Sequence, residues 1–214
     1  MIGDLELKKK FTKIEPISKG WSGDKKYCVT SIEGIKYLLR ISPIERLEER
    51  KSLFEMQKQV AAMEIPMCSP IEIGTCTDGV YSIQSWIDGK DLETVLPLLS
   101  ETERYKLGYI SGEILRKMHT IPAPKNQEDW ETRFNRKTDF KIKKYQECGL
   151  RFEGDEQVIT YLEQNRDLLK NRPQCFQHGD YHIGNMMLEK GELKIIDFDR
   201  YDYGDPWEEF NRIV

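Results

Sequence analysis

The sequence lacks the features of membrane proteins and of nucleic-acid-binding proteins. No stretch approaches the ~20 apolar residues that a membrane helix needs, and the first ten residues are of mixed charge. Its 33 lysines and arginines are outnumbered by 37 aspartates and glutamates, so the net charge of −4 offers no basic field to nucleic acid. We therefore expect a cytoplasmic protein that binds neither membranes nor nucleic acids.

Cysteine and histidine are also scarce. The five cysteines are scattered without a Cys-x-x-Cys pair, which disfavours a zinc site or a redox pair and favours reduced thiols in a cytoplasmic protein. Only three histidines occur, and two of them, His178 and His182, fall within one short loop. The scarcity of histidine elsewhere makes this loop stand out.

The first part of the chain has the alternation and turns of an antiparallel sheet, with hairpin turns at Glu33-Gly34 and Asp78-Gly79. The predicted strands cover residues 11–17, 26–31, 35–41, 72–77 and 80–86. Between the third and fourth strands, a capping box that begins at Ser42 predicts a helix running to about Met63.

The second part of the chain is mainly helical. A second capping box at Ser100 starts an amphipathic helix that ends near His119, and a charged, mostly helical stretch covers residues 130–172. The sequence therefore predicts an α+β protein of two lobes. We expect residues 1–87 to form a five-stranded antiparallel N-terminal lobe and residues 88–214 to form a mainly helical C-terminal lobe.

Residues with catalytic chemistry are concentrated in His178-Gly-Asp-Tyr-His-Ile-Gly-Asn185 and, after a predicted hairpin, in Asp197-Phe-Asp199. Phosphoryl transfer requires a group that accepts the proton of the attacking hydroxyl, and oxygen ligands that hold Mg²⁺ against the phosphates. Asp180 suits the first role, and Asn185 and Asp197 suit the second.

Two other interpretations of this loop stay open. Aspartate, asparagine and glycine dominate ordinary turns, so the residues could be turn chemistry alone. Alternatively, His178, Asp180 and His182 could ligate a divalent metal in a metallohydrolase, although such an enzyme would be expected to have more histidines.

Upstream residues offer a weaker indication of a phosphate site. Gly20 and Gly23 flank Ser22 in the loop between the first two strands, where the backbone could approach a phosphate closely. Arg40, on the third strand, is either a phosphate-binding cation or a surface charge. Glu55, in the middle of the following helix, is the glutamate that we expect to pair with it.

Together these motifs resemble the aminoglycoside phosphotransferase family, small-molecule kinases with the bilobal protein-kinase-like fold. Residues 178–185, 196–199 and 204–206 carry the resemblance, which runs from about Phe11 to the end of the chain. It implies that Asp180 is the catalytic base and that Asn185 and Asp197 bind Mg²⁺.

The resemblance also implies that residues 1–87 are the nucleotide-binding lobe, with a site for ATP or GTP, and that residues 88–214 are the catalytic lobe. The covering loop would include Ser22 and Gly23, and Arg40, paired with Glu55, would bind the phosphates where the family commonly has a lysine. Because guanidinium and ammonium groups differ in shape and reach, the phosphate grip is expected to differ too. The hinge that binds the nucleotide base would consist of Gln84, Ser85, Trp86 and Ile87.

The acceptor is expected to be a small hydroxylated molecule, most simply an aminoglycoside-type antibiotic. Six acidic residues and one arginine lie between Asp197 and Glu209, an excess that suits a cationic acceptor. Asp199, Asp205 and Glu208 are the candidate acceptor-binding residues.

Other functions remain possible for the same motif. A metabolite kinase acting on choline or homoserine would share the fold, whereas a nucleotide-binding module without turnover would share only the nucleotide site. A structural role would require the motif to be accidental. The apolar stripe that begins at Trp207 stops after about two turns, so we expect the C-terminal lobe to lack helices that contribute to the acceptor pocket in this family.

Overall fold

The structure is a computed structural model, and it describes residues 2–18 and 23–212. Ser22 and Gly20 of the predicted phosphate-covering loop lie outside the described residues. The α-helices are α1 (Leu5–Lys9), α2 (Leu47–Ala62), α3 (Leu92–Val95), α4 (Glu101–Met118), α5 (Trp130–Glu147) and α6 (Asp155–Gln164). The described part of the chain contains no helix that is long and apolar enough to cross a membrane.

The strands agree with the predicted ones to within two residues at each end in the first part of the chain. They are β1 (Phe11–Ile17), β2 (Lys25–Ser31), β3 (Lys36–Ser42), β4 (Pro70–Cys76), β5 (Gly79–Ser85), β6 (Lys90–Asp91), β7 (Cys175–Gln177), β8 (Met186–Glu189), β9 (Glu192–Ile195) and β10 (Asp202–Gly204). Short 3₁₀ turns cover Ile44–Arg46, Leu96–Leu98, Arg166–Leu169, Ile183–Asn185, Phe198–Arg200 and Pro206–Arg212.

Contacts between residues divide the chain into two compact units. The described residues of the first unit fall within Met1–Met118 and His182–Arg200, and those of the second within His119–Tyr181 and Tyr201–Val214. The predicted boundary between residues 87 and 88 is a different division of the chain, and it stays a prediction.

The first unit contains the predicted five-stranded antiparallel sheet, in the order β1-β2-β3-β5-β4. Partner residues Tyr27, Leu39 and Ile83 form a row across its three central strands. All three are buried, and with Ile2 and Leu7 they belong to one apolar cluster. The row lies on one face of the sheet, because every second side chain of a strand points to the same face.

The two predicted capping boxes had different outcomes. At the start of α4, the Ser100 hydroxyl accepts the Glu103 N–H at 3.3 Å, and the Glu103 carboxylate accepts the Ser100 N–H at 2.8 Å. Ser42 is instead the last residue of β3, where it pairs with Val80, so the predicted cap at Ser42 was wrong. The strand continues to Ser42 because this residue pairs with β5 and because its hydroxyl hydrogen-bonds to the buried carboxylate of Asp24, so the hydroxyl does not cap a helix.

In the second unit, β7 pairs antiparallel with β10, and α5 and α6 supply the helical part. Asp129 caps α5 by accepting the Thr132 N–H at 3.0 Å, and Trp130, the first helical residue, is buried. Phe176 at the centre of β7 is also fully buried. The short strand β7 leads directly into the loop that carries Asp180.

Candidate active site

The hairpin β8–β9 brings two predicted metal ligands together in the first unit. Asn185 immediately precedes β8, and Asp197 follows β9 by two residues. The Asn185 carbonyl accepts the N–H of Ile196 at 3.0 Å, so the two residues lie at the same end of the hairpin. Asp197 is exposed and has a φ of +64°, a left-handed conformation that is uncommon for residues other than glycine. Such backbone strain is often found at functional sites.

His182 orients the amide of Asn185. Its ring Nδ1 accepts the Gly184 N–H at 3.1 Å, so in the neutral ring Nε2 carries the proton. Nε2 lies 3.3 Å from the Asn185 amide nitrogen Nδ2. A protonated Nε2 is a donor, so the atom of Asn185 that faces it must be an acceptor, which is the amide oxygen and not the nitrogen. The oxygen and nitrogen of an amide side chain are assigned from such hydrogen bonds.

In the second unit, the loop before Asp180 is held by a buried glutamate that sequence reasoning missed. Glu209 is 3% exposed, and its two carboxylate oxygens accept the N–H groups of His178 at 2.7 Å and Gly179 at 2.8 Å. Gly179 has a φ of +77°, so a glycine suits the turn. Asp180 follows, half-buried, with its own N–H donated to His178 Nδ1 at 3.3 Å. The backbone entering Asp180 is thus fixed by a charge-assisted pair of hydrogen bonds.

Arg40 lies in a largely buried cluster of three arginines and two aspartates within the first unit. Its Nε donates to Asp24, and its two Nη atoms donate to the two oxygens of Asp199, Nη1 at 2.7 Å. Arg50 of α2 donates to the same two carboxylates, to Asp24 at 2.8 Å and to Asp199 at 3.1 Å. The third arginine, Arg46, donates to Asp24 at 3.1 Å. The predicted pair of Arg40 with Glu55 is not formed.

Glu55 faces away from Arg40 because of helix geometry. It is exposed and pairs with Lys58 at 3.2 Å. Arg50 lies five residues earlier, which in an α-helix is a rotation of about 140°, and its side chain is only 4% exposed. The helix therefore places Arg50 beside Arg40, where we expected Glu55. The negative charges that balance the two arginines come from Asp24, just before β2, and from Asp199, in the turn after β9.

The electrostatics of this cluster are strongly coupled. Burial raises the pKa of the Asp24 carboxyl, but Arg40, Arg50 and the Ser42 hydroxyl outweigh burial and hold it below its ordinary 3.8. Conversely, burial lowers the pKa of Arg40, and Asp199 and Asp24 raise it by more. Asp24 and Arg40 are therefore both charged at neutral pH.

The predicted hinge residues lie at the end of β5 and just after it. The Gln84 amide donates to Gln57 at 2.8 Å, and Ser85 exchanges two hydrogen bonds with Ser69. Ile87 is buried, and the buried Trp86 Nε1 has no hydrogen-bond partner in the described part of the chain. Gly23 of the predicted covering loop is exposed, and no atom of the described residues lies within 4 Å of the position that a Cβ would take.

The other acceptor candidates, Asp205 and Glu208, have cationic partners in the second unit. Asp205 is buried and receives two hydrogen bonds from Arg172, at 2.5 and 3.0 Å. Glu208 pairs with Lys137 at 2.6 Å. Within the described residues, no group of three histidine, cysteine, aspartate or glutamate side chains is placed to hold a metal ion.

The fold of this chain is similar to those of several solved phosphotransferases and kinases. The chain resembles APH(2'')-IIa, solved as a ternary complex with streptomycin and ATP, at a TM-score of 0.68 and 21% identity, over 96% of this chain and 72% of that one. It resembles ADP-bound APH(2'')-Ib at 0.68 and 20%, over 94% and 70%. A choline/ethanolamine kinase family protein from Mesorhizobium loti aligns at 0.62 and 17%, over 99% and 66%. These likenesses show the α+β protein-kinase-like fold.

The family follows from the sequence itself. Residues 13–214 match the family model described as the phosphotransferase enzyme family. The chain belongs to that family, and it is a phosphotransferase with an alcohol group as acceptor. A search of the curated proteins found no match. The resemblance inferred from residues 178–206 is thereby confirmed.

Proposed function

We propose that this protein transfers the γ-phosphate of ATP or GTP to a hydroxyl group of a small molecule, most simply an aminoglycoside-type antibiotic. The observation that carries the proposal is that Asn185 and a conformationally strained Asp197 lie at the same end of the β8–β9 hairpin. Nucleotide use is supported by the similar structures, which include complexes with ATP, ADP and AMP-PNP.

The proposed roles follow from the chemistry of each side chain. The Asp180 carboxylate accepts the proton of the acceptor hydroxyl as its oxygen bonds to the γ-phosphorus, and the bond from that phosphorus to the nucleoside diphosphate breaks. Arg40 supplies positive charge for the phosphates, and residues 84–87 receive the base.

Asn185 and Asp197 would hold Mg²⁺, because amide and carboxylate oxygens are the ligands this hard cation takes. When bound, the cation neutralises charge on the phosphates. His182 contributes by keeping the amide oxygen of Asn185 in one orientation.

A second candidate is a metabolite kinase for a small amino alcohol. The M. loti choline/ethanolamine kinase family protein aligns with nearly the whole of this chain. In addition, the acidic excess that favoured a cationic antibiotic is largely compensated, since Asp199, Asp205 and Glu208 each have a cationic partner. Both acceptor classes therefore belong in one screen.

The deciding experiment measures nucleotide consumption with ATP and GTP against aminoglycosides, macrolides, choline, ethanolamine and homoserine, with mass spectrometry of the product. We expect one of these compounds to yield a product about 80 Da heavier, the mass of one added phosphoryl group. Asp180→Asn should lower the rate about 10²–10⁴-fold, the usual contribution of a general base. Asp202→Asn, which removes a surface partner of Arg133 in the same unit, is the matched control and should retain the rate.

Two outcomes would contradict the proposal. Magnesium-dependent nucleotide binding without any product would indicate a binding module without turnover. Equal rates for wild type and Asp180→Asn would remove Asp180 from the role of base.

A further inference from the structure

Asp199 occupies a fork made by two arginines. Its oxygens receive both Nη atoms of Arg40 and one Nη atom of Arg50. Arg40 is the residue to which the proposed function assigns the phosphates. Because each of its terminal nitrogens gives one N–H to Asp199, that carboxylate holds the two parallel donors with which Arg40 would bind two oxygens of a phosphate.

The cluster is closed on one side and open on the other. The side chains of Asp24 and Arg50 are 0% and 4% exposed, whereas those of Arg40 and Asp199 are 12% and 17% exposed. Arg40 and Asp199 are therefore the two of these four side chains that solvent reaches most. Asp24, beneath the fork, holds Arg40 through Nε and Arg50 through Nη2, so both guanidinium groups would stay in place without Asp199.

A carboxylate and a phosphate present the same geometry to a guanidinium group. Both accept two parallel N–H bonds from its planar fork, and both bring negative charge. We propose that Asp199 is an internal substitute for a nucleotide phosphate, and that Arg40 and Arg50 together form a polyphosphate site which opens when Asp199 is displaced. This inference rests on the proposed function and deepens it: Asp199 competes with the nucleotide and does not bind the acceptor.

The test is nucleotide affinity, measured by calorimetry in EDTA so that no metal contributes. Asp199→Asn should bind ATP or GTP at least about tenfold more tightly than wild type, because a competing occupant lowers apparent affinity by the fraction of sites that it fills. Glu192→Gln is the matched control. It removes the same charge from an exposed side chain of the same unit, where the carboxylate pairs with Lys194, and should leave nucleotide affinity unchanged. Arg50→Gln should weaken binding about tenfold, since it removes one arm of the site.

A second measurement covers the case in which Asp199→Asn folds poorly, since it leaves two arginines with one fewer acid. Inorganic tripolyphosphate should raise the melting temperature of this variant by more than it raises that of the wild type, because the anion replaces the missing carboxylate. Failure of tripolyphosphate to do so would overturn the inference.

Two binding results would also overturn it: equal or weaker nucleotide affinity in Asp199→Asn, or unchanged affinity in Arg50→Gln. These outcomes are separable from failure of the proposed function. If the wild type transfers phosphate to an acceptor and Asp199→Asn gains no affinity, only the inference fails. If neither protein binds nucleotide even after Mg²⁺ is added, both fail.

Discussion

Glu209 provides the sharpest link between the stability of this protein and the position of its proposed base. The perturbation is Glu209→Ala, compared with Glu209→Gln. In the native chain the carboxylate is buried, and its two oxygens accept N–H groups from His178 and Gly179, immediately before Asp180. Alanine leaves both donors without an acceptor, whereas glutamine keeps the shape and one oxygen but places an NH₂ group against the second donor.

The magnitude follows from these two hydrogen bonds. A buried donor left unsatisfied costs about 1–3 kcal/mol, and bonds to a charged acceptor lie in the upper part of that range. Glu209→Ala should therefore lower the free energy of unfolding by about 4 kcal/mol, and Glu209→Gln by about half as much. The control is Glu208→Gln, which loses only the surface pair with Lys137 and should change stability by less than about 1 kcal/mol.

Urea unfolding followed by tryptophan fluorescence measures the stability, and the turnover of the folded variants measures the effect on Asp180. A displacement of about 1 Å at a reacting group reduces rates about 10²-fold, so Glu209→Gln should lose activity at temperatures where it remains folded. Stability of both Glu209 variants within about 0.5 kcal/mol of wild type would refute the assigned hydrogen bonds. Full activity of the folded glutamine variant would refute the positioning role.

Further predictions concern charge and thiol chemistry. The pKa of Asp24 is depressed by Arg40 and Arg50, so its stabilising contribution is present above pH 3.8 and is lost as the pH falls through the lower, folded-state value. The unfolding free energy of Asp24→Asn should therefore fall less steeply than that of wild type below pH 4, and a parallel fall would contradict this. At neutral pH the same variant should be about 3–5 kcal/mol less stable, because it breaks a buried ion-pair network. Glu55→Gln should alter nucleotide affinity by less than twofold in calorimetry, since its carboxylate pairs with Lys58 at the surface and not with Arg40. In timed alkylation at pH 8 with peptide mapping, exposed Cys148 should be modified first, because burial raises the pKa of Cys68 to about 12 and that of Cys175 to about 11; earlier labelling of Cys68 would contradict the burial.

Local patterns sufficed to predict the elements of the fold. The turns at Glu33-Gly34 and Asp78-Gly79, with the alternation of the strands beside them, predicted the hairpins of the five-stranded sheet, because a turn and a period of two are properties of neighbouring residues. The capping box at Ser100 succeeded for the same reason. Its donor and acceptor, three residues apart, are brought together by the helix itself.

The partners of the charged residues depended on contacts between segments distant in sequence. Arg40 meets Asp24 and Asp199, which lie 16 and 159 residues away along the chain. Similarly, Glu209 reaches back 31 residues to the N–H group of His178, and nothing in the sequence next to Glu209 distinguishes it from Glu208.

The sequence alone therefore determined the α+β class, the phosphotransferase motif and the residue types able to perform its chemistry, since these are written in short spacings. Only the tertiary structure decided which side of α2 faces Arg40. Arg50 and Glu55 lie on different sides of one helix, and the packing of α2 against the sheet buries the arginine and exposes the glutamate. The charges around Arg40 are set by that packing and by the folding of the chain that brings Asp24 and Asp199 together. Charged groups interact according to their distance in space and not along the sequence.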